Sequence, residues 1–107
     1  MTDRELLELA AKAAGYEFIY FAPMLDGSGE CLRIKDLPDR WNPLTDDGDA
    51  FRLAVTLGLD VRVSLHAKET HVYGPNGFAG EVHNDDTCAA TRRAIVRAAA
   101  EIGKGMT

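Results

Sequence analysis

Three segments with helical periodicity, each opened by an oxygen-bearing capping residue and closed by a glycine, punctuate this chain and leave room between them only for strands and turns. Thr2 followed by Glu5 is a capping box. Leu6, Leu9, Ala10 and Ala13 then recur at helical spacing as far as Gly15, which predicts a helix over residues 3–14. Thr45 to Asp49 supply capping and first-turn acids ahead of Ala50, Leu53, Ala54 and Leu57, with Gly58 as the stop. Asp85 or Asp86 opens a third helix that runs to about Ile102. Its apolar stripe is Cys88, Thr91, Ile95, Ala99 and Ile102, and Gly103 ends it.

The intervening segments read as strands. Residues 16–22 are aromatic and β-branched with little alternation, the pattern of an inner strand covered on both faces. Asp26-Gly27-Ser28-Gly29 is turn chemistry, and residues 31–35 alternate apolar with charged, so a hairpin is expected. Pro38 and Pro43 make residues 36–44 irregular, with Trp41 as a lid over one end of the core. Residues 60–66 alternate cleanly: Val61, Val63 and Leu65 face one way, Arg62, Ser64 and His66 the other. Residues 70–73 and 78–83 complete a meander through Gly74-Pro75-Asn76-Gly77. The order α-β-β-α-β-β-β-α predicts an α/β fold of the α+β type. Its expected form is a three-layer α/β/α sandwich, with helices on both sides of a mostly antiparallel sheet of about five strands.

The 107 residues make one domain, with a core large enough to need no disulfide framework. Cys31 and Cys88 have no second cysteine at metal-ligand spacing and are expected to be buried or half-buried thiols. The net charge of −5 argues against nucleic acid as a partner. Residues 1–60 carry 12 acids and 6 bases, and residues 61–107 carry 5 and 6, so the acidity lies in the first half. No apolar run is long enough to span a bilayer, and the acidic start is unlike a signal peptide. A cytoplasmic protein with no membrane partner is expected.

The constellation with the most chemical content is His66 and His71. A two-residue turn at Lys68-Glu69 pairs them across the hairpin, with Cβ atoms about 4.5–5.5 Å apart. Two imidazoles there are the start of a metal site, which Glu69 or Asp85 would have to complete. His83 fails on parity: if Tyr73 pairs with Phe78, His71 faces Gly80 and His83 points to the opposite face. The same hairpin face also carries Arg62, Ser64 and Tyr73, hydrogen-bonding groups suited to a partner surface. Asp46, Asp47 and Asp49 lack the order and closing Glu of a calcium loop and read as caps. Arg93, Arg97 and Lys104 form a row on the last helix, with Arg97 able to pair with Glu101. Ser28 and Ser64 are the only serines, neither lies in a nucleophile elbow, and no phosphate-cradling glycine motif is present.

Three stretches together resemble a known family. They are residues 1–15, the segment Trp41-Asn42-Pro43-Leu44-Thr45-Asp46-Asp47-Gly48-Asp49-Ala50 with the Leu53 helix, and the Ala/Arg-rich helix of residues 89–101. They are similar to the small bacteriophage ABA-sandwich domain proteins encoded in phage and prophage genomes. The resemblance implies an α/β/α sandwich and a phage context. It implies no catalytic residue and no cofactor.

The leading expectation is a non-enzymatic phage or prophage accessory protein in the host bacterial cytoplasm, acting on a protein partner such as a host factor. The expected surfaces are Arg62, His66, His71 and Tyr73, and the acidic segment 36–49. The alternative is a metal-binding or metal-dependent hydrolytic module using His66 and His71. A homodimer, formed on the polar hairpin face or by pairing at an uncovered strand edge, is the third reading.

Overall fold

The computed structural model of the chain describes residues 1–23, 30–36, 40–75 and 77–106. Helix α1 (Asp3–Ala13) starts at Thr2, whose Oγ1 accepts the Glu5 N–H at 3.2 Å. It stops as the sequence predicts: Gly15 takes φ +80°, Gly15 N–H donates to the Lys12 carbonyl and Tyr16 N–H to that of Ala11. Helix α2 (Asp47–Leu57) is capped by Asp46, which accepts the Asp49 N–H at 2.8 Å. It ends in the same motif at Gly58, φ +63°. These termini are local chemistry, so they are where sequence reading is strongest.

Among the described residues the five strands are antiparallel and follow the expected order, but they divide into two sheets instead of one. Strands β1 (Phe18–Pro23) and β2 (Glu30–Ile34) form a hairpin with an irregularity between Phe18 and Tyr20. The turn expected at residues 26–29 lies outside the described residues, as does Pro38. β1 is not the inner strand its composition suggested. Among the described residues its one strand partner is β2, and Ile19 and Tyr20 are each 53% exposed. Its apolar character is used locally instead: the Phe18 ring packs tilted against that of Phe21, and the Arg4 guanidinium lies 4.1 Å from the Phe21 ring centre. On the other side of β2, Trp41 exchanges both backbone hydrogen bonds with Leu32 and so acts as a one-residue strand.

Strands β3 (Asp60–Ser64), β4 (Glu69–Gly74) and β5 (Gly77–Val82) form the meander. Helix α3 (Thr87–Lys104), capped by Asp86, packs on β4 and β5 and carries α1 and α2 against its other sides. An apolar stripe does not describe it. Ala90, Ala94, Ile95, Val96, Ala98, Ala99, Ala100, Ile102 and Gly103 are all buried, because the sheet and both other helices close around it. Its small residues keep the helix axes near one another. Gly103 is therefore an interior residue and not the stop, and the helix runs on to Lys104 with Gly105 as its cap. Cys88, placed in the core by the stripe, is exposed in the first turn of α3, whereas Cys31 is buried.

Behind β4 a polar chain crosses the core. Thr70 Oγ1 lies 2.8 Å from both His83 Nε2 and Thr91 Oγ1, with Thr70 fully buried and His83 nearly so. Thr70→Val keeps the shape and leaves both partners short of a hydrogen bond, which costs about 1–3 kcal/mol. Urea unfolding should show that loss, and Thr70→Ser should recover much of it. Equal stability of Thr70→Val and the parent chain would mean that the contact contributes nothing.

Candidate functional site

Cross-strand register decides which side chains share the outer face of the β3–β5 sheet. Asp60 pairs with Tyr73 and Tyr73 with Phe78; Arg62 pairs with His71 and His71 with Gly80. Directly opposed residues share a face, so these two rows lie side by side, turned away from α3. The core-facing set alternates with them, and Thr70, Val72 and Ala79 are buried.

The rows make contact. The Arg62 guanidinium stands 5.2 Å from the Tyr73 ring centre and bonds the Asp60 carboxylate at 3.0 and 3.2 Å. Tyr73 and Phe78 have ring centres 5.2 Å apart, and His71 and Phe78 5.5 Å. His71 Nε2 is 3.2 Å from Glu69. Gly80 makes room for the imidazole: a Cβ there would lie 3.1 Å from His71 Cδ2 and 3.3 Å from Phe78 Cζ. The Asp60 carboxylate raises the Arg62 guanidinium above its usual range, so Arg62 keeps its charge. Tyr73 is 42% exposed and Phe78 54% exposed. The result is an aromatic patch edged by two acid–base pairs on an open sheet face.

Arg62, His71 and Tyr73 are thus brought together as the sequence suggested, and His66 is not. The connection between β3 and β4 spans residues 65–68, with Ser64 opposite Glu69, in place of a two-residue turn at Lys68-Glu69. Two local features set it: Ser64 Oγ accepts the Ala67 N–H at 3.0 Å, and Lys68 takes φ +57°. His66 falls in that turn, and Arg62, not His66, faces His71. The imidazole pair that would begin a metal site does not form. Among the described residues no group of three or more His, Cys, Asp and Glu could hold a metal ion. His83 lies on the core side, as parity required. Phe78 and Gly80 are the residues that sequence reasoning passed over. The signal for both was the Tyr73–Phe78 pairing itself.

Several of the other charged candidates are engaged internally, while Asp39 lies outside the described residues. Asp49 is buried, accepting the Asn42 N–H at 2.9 Å and Arg52 at 2.8 Å, and Arg92 ties Asp47 and the Leu44 carbonyl to α3. The segment around Trp41 is therefore a strap, held at Asn42 by the Asp49 carboxylate of α2 and at the Leu44 carbonyl by Arg92 of α3. Arg93 pairs with Asp3, Lys104 with Glu101, and Arg97 with Glu81 and the Gly80 carbonyl instead of Glu101. Burial pushes the Cys31 thiol up, against the opposing pull of Arg40 and Arg33, which keeps it from being a thiolate nucleophile.

A second surface feature lies at the edge of the same sheet. An apolar groove of about 710 Å³ runs between α2 and β3, floored by α3 and lined by Phe51, Val55, Val61, Val63, Cys88 and Ile95. Among the described residues no helix is long and apolar enough to cross a membrane. Comparison with protein-family models, with curated proteins and with solved structures finds no match to this chain.

Proposed function

We propose that this chain is a non-enzymatic binding module that engages a protein partner through the open face of β3–β5. The observation that supports this most directly is the exposed cluster of Arg62, His71, Tyr73 and Phe78, backed by a packed helix. Rigid aromatic side chains with an arginine alongside are the usual anchors of protein interfaces, since they bury much area for little lost freedom. An open sheet bearing aromatics on neighbouring strands also suits stacked single-stranded bases. Charge decides between the two. Asp60 offsets Arg62 and Glu69 sits on His71, so the face has no surplus of cations to meet phosphates, and the chain as a whole is acidic.

The likeness of three stretches to phage ABA-sandwich proteins adds the setting: a phage or prophage product acting on a host factor in the bacterial cytoplasm. Immobilised protein should retain a specific partner from bacterial lysate at micromolar concentration. Phe78→Ala and Tyr73→Ala should each weaken that complex at least about tenfold, the loss of an interface anchor. No retained partner, or a complex indifferent to both substitutions, would sink the proposal. Tight binding of a single-stranded oligonucleotide that is lost in Phe78→Ala would replace it with the nucleic-acid reading.

A further inference from the structure

The edge of the same sheet carries a second surface, independent of its open face. Strand β3 is terminal in the order β3-β4-β5, and among the described residues no backbone group pairs with its outer edge. Its two charged side chains, Asp60 and Arg62, are paired with each other, and it lacks the stronger devices that keep such edges from pairing. The five residues contain no proline or lysine, and the register from Asp60–Tyr73 to Ser64–Glu69 runs without a bulge. Beside it lies the apolar groove, where Phe51 is 69% and Val55 64% exposed. At the end of the strand stands Leu65, 73% exposed. Groove and projecting apolar side chain thus share one edge, which is what a two-fold interface demands, because the same patch must complement itself.

We infer that two copies of this chain pair antiparallel along β3, with the two-fold axis at Val63. In that register Val63 meets Val63 of the second copy, and Leu65, the first residue of the turn after the strand, comes near Val61 of the second copy beside the groove. On the other side Arg62 faces Ser64 of the second copy, and Asp60 comes toward the end of the pairing, where the turn that carries His66 of the second copy begins. The neighbouring register, centred on Arg62, sets two guanidinium groups directly opposite each other and is disfavoured. The two three-stranded sheets join into one of six strands, and both aromatic faces stay free for a partner.

The test is the mass of the full chain in solution from low micromolar to submillimolar concentration, followed by sedimentation equilibrium. A species of twice the 11.7 kDa chain mass is expected at the upper end. Val63→Lys and Leu65→Asp alter exposed side chains and should each raise the dissociation constant at least about tenfold with an unchanged far-ultraviolet spectrum. Phe78→Ala, on the open face, should leave the mass doubled. A second readout needs no variant: Cys88 lines the groove and Cys31 is buried, so thiol labelling reports on the groove and should slow severalfold as concentration rises through assembly. A single-chain mass at every concentration overturns the inference. So does a doubled mass that survives both β3 substitutions, or labelling of Cys88 that is independent of concentration.

Discussion

Gly103→Ala should destabilise the protein by more than about 3 kcal/mol, and Gly103→Val should leave it unfolded at room temperature. A Cβ on Gly103 would fall 2.1 Å from the Leu9 carbonyl oxygen, 2.8 Å from its carbon and 3.2 Å from Leu9 Cα. All three atoms are backbone, so no side-chain rotation relieves the clash and α1 would have to move off α3. Overpacking of a well-filled core costs about 1–3 kcal/mol and occasionally more, and a rigid backbone obstacle belongs at the upper end. Small domains have only about 5–15 kcal/mol in hand. The size of the effect also separates two explanations of this glycine. A helix stop costs about 1 kcal/mol when glycine becomes alanine, because the penalty is that of one left-handed residue. Gly58, at φ +63° with nothing within 4 Å of its added Cβ, is the internal comparison of that kind. Urea midpoints of Gly58→Ala and Gly103→Ala should therefore differ widely. If both fall by the same small amount, the close crossing of α1 and α3 is wrong.

Trp41→Ala is expected to cost about 3–5 kcal/mol, the range for deleting a large aromatic from a core. Trp41 is 4% exposed and meets Tyr16 edge to face, with ring centres 5.6 Å apart. Its own N–H and carbonyl pair with Leu32, so the ring and the backbone anchor the same strap. The next residue, Asn42, is held by the buried Asp49 carboxylate. The strap therefore resists collapse into the vacated space, and the cavity term is expected to be felt in full. Trp41→Phe restores much of the volume and should recover roughly half of the loss. Thermal unfolding followed by circular dichroism measures both without relying on the indole signal. A loss below about 1 kcal/mol for Trp41→Ala would mean that this segment lies over the surface without being part of the core.

Both residues were visible in the sequence, and they differ in how far it could interpret them. Trp41 between prolines was expected to cover one end of the core, and it is buried in the core cluster. Gly103 was expected to end a helix, because a glycine after an apolar stripe has that meaning locally, and only the arrival of α1 gives it another. The same division runs through the candidate site. Alternation along residues 60–66 and the pairing of Tyr73 with Phe78 placed Arg62, His71 and Tyr73 on one face. The position of His66 depended on a four-residue turn in which Ser64 Oγ and a left-handed Lys68 outweigh the tighter turn. Cys88 matched the stripe in period, yet it lies where the groove between α2 and β3 leaves the start of α3 uncovered.

By itself the sequence determined what is settled within a few residues of chain. The three helix starts, two of the three stops, the element order, the antiparallel hairpins and the alternation of strand faces all follow from capping oxygens, left-handed glycines and period-two patterning. The tertiary structure alone decided that the strands form two sheets, that α3 is enclosed on nearly every side, that Arg97 goes to Glu81, and that among the described residues β3 keeps a free edge beside an apolar groove. Those outcomes turn on which elements meet. Apolar periodicity states that a face will be buried, but packing between residues far apart in the chain chooses what buries it.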